Sequence, residues 1–154
     1  MTNNKSGQIV GISSILGKFT KANRASYTCS KHAMTAIFDT LRSELEEHNI
    51  AVTSINPGYI QSNVGQNALM SEPGKRSDVK DAFWYKGMKT DEFATQTVKA
   101  IYRRENECHI SINWIQNPFR ILIRCVCPDL ADYVNSYYSK TDLAANMKQH
   151  KPKN

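Results

Sequence analysis

The run Gly7-Gln8-Ile9-Val10-Gly11-Ile12-Ser13-Ser14 decides how the rest of the chain is understood. It is short, apolar and β-branched, and it ends in two small hydroxyl residues, the pattern of a buried strand leaving a sheet at its carboxyl end. A loop from Ile15 to Arg24 follows, with Gly17 and Lys18 in it. From Ala25 to His48 the residues Ala33, Met34, Ile37, Phe38, Leu41 and Leu45 recur at spacings of three and four. That spacing predicts one apolar stripe along a long amphipathic helix, whose other face carries Asp39, Arg42, Glu46 and Glu47.

Ile50-Ala51-Val52-Thr53-Ser54-Ile55 repeats the buried-strand pattern and is stopped by Asn56-Pro57-Gly58. There the proline removes a ladder donor and the glycine permits a sharp exit. Strand, long helix and strand in that order predict parallel strands joined by a right-handed crossover, hence an α/β class and part of a doubly wound parallel sheet. Ligands of such sheets bind beyond the carboxyl ends of the strands, where Ser13, Ser14 and the Pro57-Gly58 turn fall.

Further along, Ser71 to Lys89 is polar and holds Pro73, Gly74 and Gly87, the composition of a loop or insertion. Thr90-Asp91-Glu92 opens a helix expected to reach Arg104, with its acidic residues placed to favour the first turn. His109-Ile110-Ser111-Ile112 is the expected third strand. Trp114 to Tyr138 is apolar and aromatic but broken by Pro118, Arg120, Arg124 and Pro128, which predicts two short helices at the edge of the sheet. One domain over residues 1–139 and a polar, frayed tail over 140–154 complete the expected organisation.

Composition narrows the function classes. The 154 residues are 40% hydrophobic and 22% charged, enough for one core and too apolar for a disordered or collagen-like chain. Twenty Lys and Arg against 14 Asp and Glu make a net charge of +6, but no five like charges are adjacent, so a nucleic-acid partner is not expected. The cysteines 29, 108, 125 and 127 are expected to be reduced and mostly buried, and Cys125-Val126-Cys127 is too tight for paired zinc knuckles. His48 and His109 lack carboxylate or cysteine partners at ligand spacing, so no metal is expected. The segment Ile110 to Cys127, with Phe119 and Leu122 beside Arg120 and Arg124, fits a lid or edge helix better than an element lying on a membrane surface.

The constellation that carries chemistry is Tyr27-x-x-x-Lys31 at the start of the long helix, with Ser14 thirteen residues before the tyrosine. The i, i+4 spacing sets both side chains on one face, and an ammonium beside a phenol favours the phenolate, which makes a usable general acid or base. A serine hydroxyl at a strand's carboxyl end is placed to hold a substrate carbonyl against that phenol. The spacing alone is weak, because Tyr85-x-x-x-Lys89 repeats it with Glu72 where the first pair has Ser14. His32 lies about 100 degrees around the helix from Lys31, which assigns it to packing or surface.

In context the sequence resembles the short-chain dehydrogenase/reductases. The resemblance is carried by Gly7-Gln8-Ile9-Val10, Ser13-Ser14, Gly17, Tyr27-Thr28-Cys29-Ser30-Lys31 and Asn56-Pro57-Gly58-Tyr59-Ile60-Gln61-Ser62, five features in the family's order. Ser30-Lys31-His32-Ala33, Phe38-Asp39-Thr40-Leu41-Arg42 and Pro57-Gly58-Tyr59-Ile60 look most like the family's member 7 group. It implies a Rossmann-like fold and an oxidoreductase that moves hydride between NAD or NADP, NADP the favoured of the two, and a small-molecule carbonyl or secondary alcohol. In it Tyr27 would be the general acid/base, Lys31 would bind the nicotinamide ribose, and Ser14 would orient the substrate carbonyl. Pro57, Ile60 and Ser62 would line the nicotinamide pocket, Ser62 standing where a threonine is usual. The family also implies a homo-oligomer, and relatives attached to intracellular membranes, of the endoplasmic reticulum or the peroxisome, through an amino-terminal segment.

The family's glycine-rich pyrophosphate turn has no counterpart among the glycines here, and its Asn-Ala-Gly segment and helical catalytic asparagine are missing too. The chain therefore looks like the carboxyl-terminal half of such an enzyme. One physical consequence is expected. The strand at Gln8 to Ser13 should form a bare apolar edge that makes the chain associate. A non-catalytic product that pairs with intact subunits is the alternative to an enzyme.

Overall fold

The computed structural model describes residues 1–64, 67, 87–112 and 116–137. After a short 3-10 turn, strand β1 (Gly7–Ile12) leads through a second 3-10 turn (Ile15–Gly17) into helix α1 (Ala25–Leu45). Strand β2 (Ile50–Pro57), helix α2 (Thr90–Tyr102), strand β3 (Glu107–Ile110) and helix α3 (Gln116–Val126) follow, and a further helix, α4, covers 128–137. The three strands form one parallel sheet in the order β1-β2-β3, with Ile12 paired to Ile55 and Pro57 to Ile110. This is the expected partial doubly wound, Rossmann-like sheet, with short helices after its last strand.

Two layers of helix cover the sheet. On one face Ile55, Met88, Ala100 and Ile110 form the core cluster, with Ile60, Phe93 and Cys108 packed on it. The Gln8 amide crosses this face to donate to Thr53 Oγ1 at 2.9 Å and to the Ile101 carbonyl at 3.0 Å, tying β1 to the end of α2. On the other face α1 lies close to β1 because Gly11 has no side chain: a Cβ there would occupy the space of the Phe38 ring.

Arg42 then performs a task that its charge would not suggest. From α1 it donates to the Val52 carbonyl at 3.2 Å and the Asn106 carbonyl at 2.9 Å, and pairs with Asp39 at 2.7 Å. β3 first pairs with β2 at Ser54, so the guanidinium supplies a donor to β2 before the ladder begins.

Several expectations shift. The third strand is Glu107–Ile110, two residues earlier than His109 to Ile112, because the Gly58 amide takes the Ile110 carbonyl at 2.8 Å and Ser111 then packs over Gly58. The long helix ends at Leu45 and passes through a 3-10 turn, Glu46–His48, to Asn49 in the left-handed region at φ 52°. Its apolar stripe divides: Met34, Phe38, Leu41 and Leu45 are half-buried, whereas Ala33 is exposed and Ile37 is 56% exposed. The cysteines are not mostly buried. Cys29, Cys125 and Cys127 are exposed, on helix faces or ends with no covering layer, and Cys108 is half-buried. Most of the polar stretch from Ser71 to Lys89, the second tyrosine of the repeated spacing, and the 140–154 tail lie outside the described residues.

Candidate active site

The site is assembled where β1 and β2 end. Counting on from the Ile12–Ile55 pair, Ser14 and Pro57 leave their strands at the same height. Ser14 is buried and caps the 3-10 turn, its Oγ accepting from the Leu16 amide at 3.1 Å. This local bond follows from a hydroxyl residue in extended conformation directly before a turn.

Lys31 brings α1 to the same strand end. Its Nζ donates to the Ile12 carbonyl at 3.4 Å, contacts Met34 Sδ at 3.6 Å and stands 5.7 Å from the centre of the Tyr27 ring. The Lys31 carbonyl accepts from the hydroxyls of Thr35 at 3.1 Å and Ser13 at 3.3 Å. A Cβ on Gly17 would come within 2.8 Å of that same carbonyl and 2.6 Å of Thr35 Oγ1. Ser13, Gly17, Lys31 and Thr35 therefore form one knot in which the loop after β1 lies directly on the turn of α1 that carries Lys31. Tyr27, one turn earlier, is 43% exposed, its carbonyl bonded by Ser30 Oγ at 2.7 Å.

The second strand end is tied in likewise. Pro57 and Ile60 are half-buried, Ile60 against the core cluster and in a parallel bridge to Met88, and Ser62 is exposed. Lys21, in the loop after β1, donates to the Tyr59 hydroxyl at 3.0 Å. His32 is turned elsewhere, its Nδ1 3.0 Å from the Thr28 carbonyl.

A polar group with no local sequence signal lies beneath these loops. Glu107 Oε1 lies 2.9 Å from Lys18 Nζ and 3.5 Å from His109 Nε2, and it accepts from Asn56 Nδ2 at 2.8 Å. Burial, and secondarily the Lys18 charge, holds the His109 imidazole below the ordinary histidine range, opposed by the Glu107 carboxylate. The neighbouring Cys108 thiol is pushed up to about 11, by burial first and by Glu105 second. No local pattern announces the Glu107–Asn56 bond, which spans 51 positions.

An ammonium and a hydroxyl at one strand end, with a phenol ring beside the ammonium, are groups that could hold a ribose and a carbonyl. The described glycines that might cradle a pyrophosphate are engaged otherwise: Gly7 and Gly11 lie within β1, and Gly17 is pressed on α1.

This is the open parallel sheet of a Rossmann-like α/β fold. Residues 1–73 match the short chain dehydrogenase family profile. The chain is 38% identical over 130 residues to a dehydrogenase/reductase SDR family protein 7-like of Drosophila melanogaster, and 37% identical over 130 residues to the SDR family member 7B of Mus musculus. Each comparison covers 84% of this chain and 39% of the relative, so the chain spans about two fifths of the curated relatives it matches. A solved short chain dehydrogenase from Burkholderia cenocepacia, in complex with NADP, shares the fold at TM-score 0.62 and 19% identity, over 84% of this chain and 47% of that one. The chain belongs to the short-chain dehydrogenase/reductase family.

Proposed function

We propose that this chain carries the catalytic half of an oxidoreductase that transfers hydride between NAD(P)(H) and a small-molecule carbonyl or secondary alcohol. The observation that carries the reading is Lys31, whose ammonium reaches the end of the Ser14 strand at 3.4 Å while standing over the Tyr27 ring at 5.7 Å. When bound, the nicotinamide supplies or accepts the hydride. Tyr27, exposed at the mouth of the site, donates a proton to the nascent alkoxide or removes it from the alcohol. Lys31 holds the ribose and stabilises the phenolate, Ser14 orients the carbonyl oxygen, and Pro57, Ile60 and Ser62 border the nicotinamide. Release of Ser14 Oγ from the Leu16 amide on substrate binding is part of this proposal.

NADP is the favoured cofactor, in keeping with the NADP complex of the Burkholderia structure. Homo-oligomer formation is supported by the uncovered face of α1 around Cys29, Ala33 and Ile37. Attachment to an intracellular membrane, of the endoplasmic reticulum or peroxisome, belongs to the same proposal. No described helix is long and apolar enough to cross a bilayer.

NADPH oxidation against a panel of ketones, in the protein as its own cells express it, tests the reading. Ser14→Ala is expected to lower turnover about 100-fold, the scale of losing one oxyanion donor. Unchanged turnover would remove Ser14 from the mechanism. The outer edge of β1, bare among the described residues, favours one other reading, a non-catalytic partner of intact subunits. That reading predicts no saturable NADPH binding by the chain.

A further inference from the structure

Glu107 stands where the loop after β1, the end of β2 and β3 meet. Its Oε1 is 2.9 Å from Lys18 Nζ, whose other anionic neighbour is Asp39 of α1 at 4.0 Å, and the Lys18 and Glu107 side chains are 19% and 29% exposed. The same oxygen accepts from Asn56 Nδ2 at 2.8 Å, and Asn56 is fully buried at the end of β2. His109, on β3 in register with Asn56, brings Nε2 to 3.5 Å of it. One carboxylate oxygen therefore holds the loop after β1, the end of β2 and its own strand together.

The two held residues adjoin the proposed active-site residues. Lys18 closes the 3-10 turn whose first residue Ser14 caps, its amide donating to the Ile15 carbonyl at 3.0 Å. Asn56 directly precedes Pro57, and the Gly58 amide is fixed to the Ile110 carbonyl at 2.8 Å. We propose that Glu107 is a positioning residue, whose carboxylate sets the Ser14 turn against the Pro57-Gly58 turn by holding Lys18 and Asn56 at once. This rests on the reading of those turns as the two walls of the active site.

The physical grounds are the partial burial and the shared acceptor. A charge-assisted bond shielded from water is worth more than an exposed ion pair, and an ammonium that loses its 2.9 Å partner in a half-buried site keeps only the half-exposed Asp39 carboxylate at 4.0 Å. Glu107→Gln keeps an acceptor for Asn56 and nearly the same shape, and removes only the charge that holds Lys18. Lys18→Met removes the other half of the pair and keeps the apolar stem.

Amide hydrogen exchange of the full chain reads the loop directly. Glu107→Gln and Lys18→Met are each expected to accelerate exchange over Ser13 to Phe19 roughly tenfold, with the double variant no faster than the faster single one. Lys18→Arg should restore wild-type rates, and the amides of Ile50 to Thr53 in β2 should not change. A spectroscopic signature accompanies this: the His109 imidazole titrates at lower pH in Glu107→Gln and at higher pH in Lys18→Met, because one variant removes an attraction and the other a repulsion. Unchanged exchange over Ser13 to Phe19 in both single variants would overturn the proposal. So would equal acceleration throughout β2, which would mark a general loss of stability, or a stationary His109 midpoint. Exchange gives its answer whether or not Ser14 proves catalytic. Unaltered turnover in Ser14→Ala would remove the catalytic reading and leave the clamp standing.

Discussion

β1 has two borders of opposite character. Its carboxyl end is knotted: the Ser13 amide takes the Ile55 carbonyl at 2.8 Å, Ser13 Oγ and Gly17 sit on the Lys31 carbonyl, and Lys18 is held by Glu107. Its outer edge is bare among the described residues, with Val10 38% and Ile12 52% exposed. By contrast the central strand β2 buries Val52 to 1% and Ile55 to 0%. Two strands of nearly the same apolar pattern thus live in different surroundings, because β2 is paired on both sides and β1 on one. The contrast teaches that the strand pattern specifies what a strand is suited to cover, and that the neighbours decide whether it is covered.

The sharpest way to break this comparison lies at Gly11, on the knotted side. Gly11→Ala drives a methyl into the Phe38 ring and is expected to cost about 1–3 kcal/mol in urea unfolding, with part recovered by Phe38→Leu. A neutral Gly11→Ala would mean that α1 does not lie closely on β1. On the bare side the expectation reverses. Val10→Lys with Ile12→Lys should change stability by no more than about 0.5 kcal/mol each, while shifting the chain from associated species to monomer in sedimentation velocity. Loss of folding in that double variant would show the edge to be covered after all.

A smaller effect comes from beneath the knot. His109 is held neutral below its ordinary value of about 6.5, so between the folded and unfolded values the unfolded chain binds the proton and the folded chain does not. The stability it contributes is present above about pH 6.5 and is lost as the pH falls from there through the lower folded-state value. His109→Gln should flatten this part of the stability profile, measured by urea midpoints from pH 7 downwards. A profile unchanged by the substitution would mean that His109 titrates as though exposed.

The fold was legible in the sequence where the signals are local. The long helix, the two strands around it and the turn at Pro57-Gly58 announce themselves by periodicity and by breakers, and the Tyr27–Lys31 spacing places both residues on one turn of α1. What was illegible depends on distance in the chain. The start of β3 at Glu107 follows from its ladder with Ser54, not from its own composition, and Glu107 is polar where a strand signal is sought. Gly17 looks like a loop residue until α1 is laid against it. Arg42 looks like one member of a solvated face until its bonds to Val52 and Asn106 appear. The exposure of the cysteines is illegible for the same reason, since burial of Cys29 or Cys125 would need a neighbour that a helical pattern alone does not supply.

The central claim is that Tyr27, held beside Lys31 at the end of the Ser14 strand, moves the proton. Tyr27→Phe keeps the ring and its packing and removes the transferable proton. NADPH-dependent reduction of a ketone by that variant, in the protein as its own cells express it, is predicted to fall about 10²- to 10⁴-fold with NADPH binding retained. Turnover equal to that of the unsubstituted protein would contradict the account.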